Sequence, residues 1–144
     1  MKKYRIFISG VQRELKQERR AIKDFVLNDA LLSEYFNVFL FEDAPAKSKS
    51  AETFYLGEVK KSDIYIVVLG IKYGSSSKVK MSPTEAEFRE AQKSHKTILV
   101  YIKGENSSND KKREVGVQKL IKEIRDSKRG FSYKRFRDTI ELTR

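Results

Sequence analysis

Ser82-Pro83-Thr84-Glu85-Ala86-Glu87-Phe88 sets two carboxylates two positions apart at the opening of an apolar-periodic segment. Ser82, Pro83 and Glu85 make a capping box, with Ser82 as N-cap, Pro83 at the first helical position and Glu85 at the third. Glu85 is therefore read as a structural cap. Glu87 lies about 200° further around the helix, so the two carboxylates cannot face one pocket. Glu87 directly precedes Phe88 and sits four before Ala91, beside the stripe that faces inward. From there a carboxylate can point along a sheet edge into a cleft and offer negative charge to a ligand. Spacing alone favours the plainer alternative, a surface carboxylate stabilised by the helix dipole.

Gly10 follows an apolar run and precedes a helix, where a phosphate or ribose can approach free N–H groups. A tight strand-to-helix turn explains a single glycine equally well, and Gly-x-Gly-x-x-Gly is absent. Tyr73-Gly74 reads more readily as a turn with a packed ring than as a substrate platform. Ser75-Ser76-Ser77 reads as a flexible loop or lid.

Several chemistries are excluded outright. The chain has no cysteine, which removes disulfides, zinc ribbons, iron–sulfur ligation and thiol nucleophiles. With one histidine, His95, a multi-histidine metal site is impossible, and no metal site is expected. A Ser-His-Asp triad would need His95, and no Gly-x-Ser-x-Gly elbow accompanies it. No apolar run approaches the roughly 20 residues of a membrane span, and Met1-Lys2-Lys3-Tyr4-Arg5 passes straight into a strand rather than a signal peptide. A soluble, cytoplasmic protein without a membrane partner is expected.

The 144 residues carry a net charge of +11. The excess lies in the flanks, residues 1–30 and 103–144, while residues 31–102 are close to neutral. Acids interrupt the basic flanks, as in Lys119, Lys122, Glu123, Arg125 and Asp126. That pattern fits a solvated helix better than the one-sign stripe of a nucleic-acid surface.

The elements that must position these residues alternate. Strands are predicted at Lys3–Ser9, Phe36–Phe41, Asp63–Leu69, Thr97–Ile102 and Phe131–Phe136. A helix from Val11 buries Val11, Leu15, Ile22, Phe25 and Val26 and turns Arg13, Lys16, Arg19, Arg20 and Lys23 outward. Further helices are predicted with Ser50 as a cap and carrying Phe54, Tyr55 and Val59, from Ser82, over Val115–Ser127, and from Asp138. Gly104–Arg113 reads as a mobile polar loop. This β-α alternation predicts an α/β, flavodoxin-like three-layer sandwich with a five-stranded parallel sheet in the order 2-1-3-4-5. Residues 1–144 form one domain. Its last helix stops at Arg144, which predicts an N-terminal piece of a longer multidomain protein.

In such a sheet, ligands bind at the carboxyl ends of the strands near the point where strand order reverses. That places Ser9, Gly10, Glu42, Asp43, Gly70, Tyr73 and Gly74 at one edge, with the helix from Pro83 leaning over it.

Arg5–Leu15, Phe39–Ala46, Val59–Tyr65, Tyr73-Gly74 and Ser82–Phe88, taken in order, resemble an uncharacterised TIR-like domain family, a domain of unknown function found ahead of helicase-related or divergent ATPase, NACHT or repeat domains. The resemblance covers nearly the whole chain and extends to TIR domains and nucleoside deoxyribosyltransferases. It implies cleavage of an N-glycosidic bond in NAD or a nucleoside. Thr84, Glu87 and Ala91 match the transferase spacing, which makes Glu87 the implied catalytic residue. The resemblance further implies that Ser9 and Gly10 hold sugar or phosphate, that Asp43 binds a sugar hydroxyl and that Tyr73 stacks on the base. Gly70 and Ser82 complete the candidate binding edge. The family's Ser-Ser is Ser9-Gly10 here, and the Trp-Cys pair of catalytic TIR domains is absent. Implied partners are the C-terminal domains of the same chain and a second copy of it, with defence signalling as the context. Two alternatives stand beside this: a non-enzymatic interaction module, and an auxiliary nucleic-acid-binding domain acting through the basic flanks.

Overall fold

The computed structural model describes residues 3–44, 51–74, 81–104, 107–126 and 131–143. Strands β1 (Tyr4–Ser9), β2 (Phe36–Phe39), β3 (Ile64–Leu69), β4 (Thr97–Lys103) and β5 (Tyr133–Phe136) form one sheet. All four pairings are parallel and the order is β2-β1-β3-β4-β5. This is the α/β fold and strand order expected from the sequence. Helices α1 (Lys16–Asn28), α2 (Leu32–Tyr35), α3 (Ala51–Lys61), α4 (Pro83–Lys93) and α5 (Val115–Asp126) connect the strands, and α6 (Thr139–Leu142) follows β5.

Two apolar clusters lie on opposite faces of the sheet, and the period of two along β3 shows why. Tyr65, Val67 and Leu69 enter the cluster beneath α3, α4 and α5, together with Phe7, Val59, Phe88, Ala91 and Ile121. Ile66 and Val68 enter the other cluster, with Ile8, Leu15, Ile22, Val26 and Leu142 from the α1 and α6 side. A central strand buried on both faces must be apolar at every position. Phe88, with no exposed surface, holds α4 against the sheet, a burial that contributes on the order of 2–3 kcal/mol. Along β1 the alternation puts Ile6 and Ile8 on the α1 face and Phe7 on the α4 face, so Ser9 emerges on the α4 side at the strand's carboxyl end.

The structure corrects several expected boundaries. Residues 12–15 form turns, and α1 begins only at Lys16, although the Val11 and Leu15 carbonyls already accept the Leu15 and Arg19 N–H groups at 2.9 Å. Strand β2 stops at Phe39, and Phe41–Asp43 winds into a 3-10 turn. Ser107–Lys112 is also 3-10 rather than a featureless loop. Arg113 behind it is buried and donates to the Gly70 carbonyl (2.8 Å) and the Lys103 carbonyl (2.6 Å). A buried guanidinium tied to two strand ends anchors this segment. The proposed Ser50 cap and the Ser75–Ser77 loop lie outside the described residues. Among the described residues, no helix is long and apolar enough to cross a membrane.

Candidate functional site

Helix α4 opens as its sequence requires. Ser82 is the N-cap, its Oγ accepting the Glu85 N–H at 3.1 Å, and Pro83 stands in the first turn. The cap sets the rotation of the helix. Thr84, Glu87, Phe88 and Ala91 all become buried, which is the i, i+3, i+4, i+7 stripe. Glu87 is therefore part of the buried face, 7% exposed.

Its carboxylate meets the end of β1. Ser9 Oγ donates to Glu87 Oε1 at 2.6 Å across 78 positions of sequence. The Tyr65 phenol donates to the Thr84 carbonyl at 3.4 Å. Glu87 Oε2 makes no hydrogen bond among the described residues. Nor is it sealed away, because the only buried side-chain polar atom without a partner among them is Arg19 Nε. Glu87 itself lines a cavity of about 220 Å³ whose other walls include Gly10, Arg19, Phe41, Tyr55 and Thr84.

Burial pushes Glu87 up to about 7; the Ser9 hydrogen bond and the Arg19 charge hold it down against that rise, and the Glu42 charge adds to it. Near neutral pH the carboxylate is therefore poised between its two forms, the condition under which a carboxyl group can give or take a proton or meet a developing positive charge.

The spacing predicts Phe25 buried and Arg19 outward, and the structure reverses both: Phe25 is 46% exposed, and the side chain turned inward is Arg19. It is 2% exposed and grips Glu42 through two bonds, Nη1 to Oε2 at 2.6 Å and Nη2 to Oε1 at 2.9 Å, with the Ile8 carbonyl 3.4 Å from Nη2. The signal was in the spacing: Leu15, Arg19, Ile22 and Val26 are all buried, the same helical stripe with one cation in it. A charge on an apolar stripe must be paired to be tolerated, and Glu42, on the 3-10 turn after β2, pairs it. Gly10 makes room for this arrangement. A Cβ there would stand 3.2 Å from Arg19 Cδ and 3.1 Å from the Val68 carbonyl oxygen, at a φ of +155°.

Of the candidate residues, Gly10, Gly74 and Glu87 line this cavity, and Ser9 meets it through its hydrogen bond to Glu87. Ser82 is buried and supports it as the helix cap. Glu85 points elsewhere, accepting the Tyr73 hydroxyl at 2.6 Å and Arg89 at 3.2 Å. Tyr73 packs over Gly116, where a Cβ would lie 2.5 Å from its ring. The edge beside Gly70 is filled by Glu14, whose carboxylate takes the Ile71 N–H (2.6 Å) and the Lys72 N–H (2.9 Å) and crowds the glycine Cα. Asp43 stands apart. Arg20 and Lys23 occupy its carboxylate at 2.6–3.0 Å and hold it below the ordinary carboxylate range. Arg19, Phe41 and Tyr55 are cavity residues that sequence reasoning gave no functional role. Among the described residues, no group of three or more His, Asp or Glu side chains is placed to hold a metal ion.

The profile of one family, described as domain of unknown function (DUF4062), matches residues 5–144. Comparison with curated proteins gives no match.

Proposed function

Taking as premise that the chain belongs to the DUF4062 family, we propose that it is a TIR-like module that binds a nucleoside or nucleotide at the β1–α4 cavity and cleaves its N-glycosidic bond through Glu87. The observation that carries this reading is the carboxylate itself. One oxygen is fixed by Ser9, the other has no partner among the described residues, and both are nearly buried beside a cavity.

In the proposed reaction the bond between the sugar's anomeric carbon and the base nitrogen breaks, and the base leaves with the electron pair. Glu87 Oε2 stabilises the positive charge that develops on the sugar. A water oxygen bonds to the anomeric carbon. Its proton passes to the departing base, or to solvent when the base leaves from a cationic ring nitrogen such as that of NAD. Ser9 holds the carboxylate in place, and Arg19, kept by Glu42, favours its ionised form. In the same reading the module precedes an ATPase- or helicase-related domain and acts in defence signalling, as the motif order from Arg5 to Phe88 implies.

The test is hydrolysis of NAD and of a panel of ribo- and deoxyribonucleosides, followed by release of free base, with Glu87→Gln beside the unaltered chain. Base release that the substitution abolishes supports the reading. Release that is equal in both, or absent in both from concentrated, assembled protein, overturns it.

A second reading, self-association without catalysis, draws on a different surface. A groove of about 480 Å³ between α1 and α6 is lined by Phe25 and Ile140, 46% and 72% exposed. Sedimentation of Ile140→Asp against the unaltered chain tests it.

A further inference from the structure

We infer that Tyr55 is the second functional side chain of the β1–α4 cavity: its ring, set edge-on to Phe41, is the wall against which one planar ring of the ligand lies, and its phenol is the hydrogen-bonding group that accompanies Glu87 Oε2. This rests on the reading above that the cavity takes a ring joined to a sugar.

Tyr55 and Phe41 both line the cavity with Glu87. Their ring centroids are 6.1 Å apart at an interplanar angle of 81°, an edge-to-face pair that fixes both rings. Tyr55 is half-buried and packed against the core cluster under α3 and α4. Its phenol makes no hydrogen bond among the described residues, yet it is not among the sealed, partnerless atoms. A packed tyrosine ordinarily finds a partner for its hydroxyl. Among the described residues, two polar atoms besides the sealed Arg19 Nε, Tyr55 Oη and Glu87 Oε2, are left without one at a single cavity.

The phenol stays a donor throughout the neutral range. Burial raises it first, and the Glu52 and Glu87 charges add to that. The site therefore offers one donor, one carboxylate and an aromatic wall. At about 220 Å³ it is smaller than the roughly 300–1,000 Å³ of pockets for drug-sized ligands, which suits one ring with its adjoining sugar and leaves the remainder of a larger ligand outside. Tyr73, the other aromatic candidate, has its ring over Gly116 and its hydroxyl on Glu85. The stacking role passes from Tyr73 to Tyr55.

The experiment titrates nicotinamide, adenine and their ribosides into the whole chain with tyrosine rings isotopically labelled, alongside Tyr55→Phe and Tyr55→Leu, with each variant's fold checked by its amide spectrum. Expected are ring shifts at Tyr55, an affinity for the ribosides lowered about tenfold or more by Tyr55→Leu, and a smaller loss, about fivefold, in Tyr55→Phe, which keeps the ring and lacks the hydroxyl. Free bases and ribosides that leave Tyr55 unshifted, or ribosides that bind Tyr55→Phe and Tyr55→Leu as they bind the unaltered chain, overturn the inference. If Tyr55→Leu loses the fold, the Tyr55 shifts and the Tyr55→Phe affinities decide. The two readings fail separately. Ring binding at Tyr55 without base release from any riboside upholds Tyr55 and defeats the hydrolase. Base release with KM unchanged in Tyr55→Phe and in folded Tyr55→Leu upholds the hydrolase and defeats Tyr55.

Discussion

The carboxyl edge of the sheet has two neighbouring corners built from the same residue types, and they end in opposite states. At the β3 corner, among the described residues, three successive backbone donors and a tyrosine hydroxyl are all matched. The successive N–H groups of Ile71, Lys72 and Tyr73 go to Glu14 and Glu114, and the Tyr73 hydroxyl goes to Glu85. At the β1 corner, among the described residues, the carboxylate has one bonded oxygen and one without a partner, a phenol stands without a partner, and a buried guanidinium keeps Nε unpaired. Satisfied polar groups rigidify a structure, whereas unsatisfied ones at a cavity are held ready for something else. Glu85 and Glu87 reduce the contrast to two residues of one helix. Two positions of rotation separate a carboxylate bonded at both oxygens from one bonded at a single oxygen among the described residues.

The largest expected effect breaks or keeps that contrast directly. Glu87→Gln lowers base release by about 10²–10⁴-fold, while Glu85→Gln leaves it within about twofold. Rates measured side by side on one substrate check it, and a comparable loss in Glu85→Gln would merge the two corners into one site.

The next effect is read from stability. In the folded chain Glu87 holds its proton up to about pH 7, against an ordinary value of 4.5. Between those values the folded state binds more protons than the unfolded state, so stability falls as pH rises, and above 7 the full penalty stands. A shift of that size corresponds to about 3 kcal/mol. Glu87→Gln removes the penalty and keeps an oxygen for Ser9 to donate to. Urea unfolding is therefore expected to find the variant more stable by up to about 3 kcal/mol at pH 8 and little changed at pH 4. Parallel pH dependence in both chains would show that the proton belongs to another group.

Gly116→Ala probes the closed corner. A Cβ there stands 2.5–2.8 Å from Tyr73 ring atoms, so the ring must move or the helix must shift, at a cost of about 1–3 kcal/mol. The expected result is a lower melting temperature with base release unaffected. An unchanged melting temperature would mean that Tyr73 swings aside freely, which would return it to consideration as a ligand platform.

What was legible in the sequence followed from periodicity. The unbroken apolar run from Ile64 to Leu69 can only be a strand covered on both faces, and Ser82-Pro83 can only begin a helix. From those two segments comes the approach of α4 to the β1 edge. The strand order also followed, because βαβ alternation leaves few topologies. What escaped depends on contacts between distant positions. Arg19 looked solvated because lysines and arginines surround it, although its own spacing from Leu15 and Ile22 marked it as buried. Its partner, Glu42, sits on a turn that replaced the expected end of β2, and sequence spacing does not say which carboxylate will meet which cation. Helical spacing gives Tyr55 only a place on a short helix; that its hydroxyl lacks a partner among the described residues appears only once the surrounding chain is in place. Tyr73 was weighed as packed or as a platform, and the packed ring needed Gly116, 43 positions away, to become visible.

Asp43→Asn gives the smallest expected effect and decides where the site ends. Asp43 stands next to Glu42, so sequence alone treats the two acids alike at the strand edge. In the fold they part. Glu42 turns inward to the buried Arg19 beside the cavity, and Asp43 turns outward to Arg20 and Lys23, with about a third of its side chain exposed. Hydrogen bonds from those two cations hold its carboxylate ionised well below neutrality, so at working pH both oxygens are already engaged and a sugar hydroxyl would have to share them with Arg20 and Lys23. Exposed pairs of this kind contribute about 0–1 kcal/mol, and an amide at the same place keeps an acceptor for one of them. Stability, substrate affinity and base release are therefore all expected to stay near those of the unaltered chain, within about twofold for the last two. A loss of tenfold or more in affinity, with stability unchanged, would mean that the ion pairs open in the complex and that the site extends past Arg19 to the outer face of the turn.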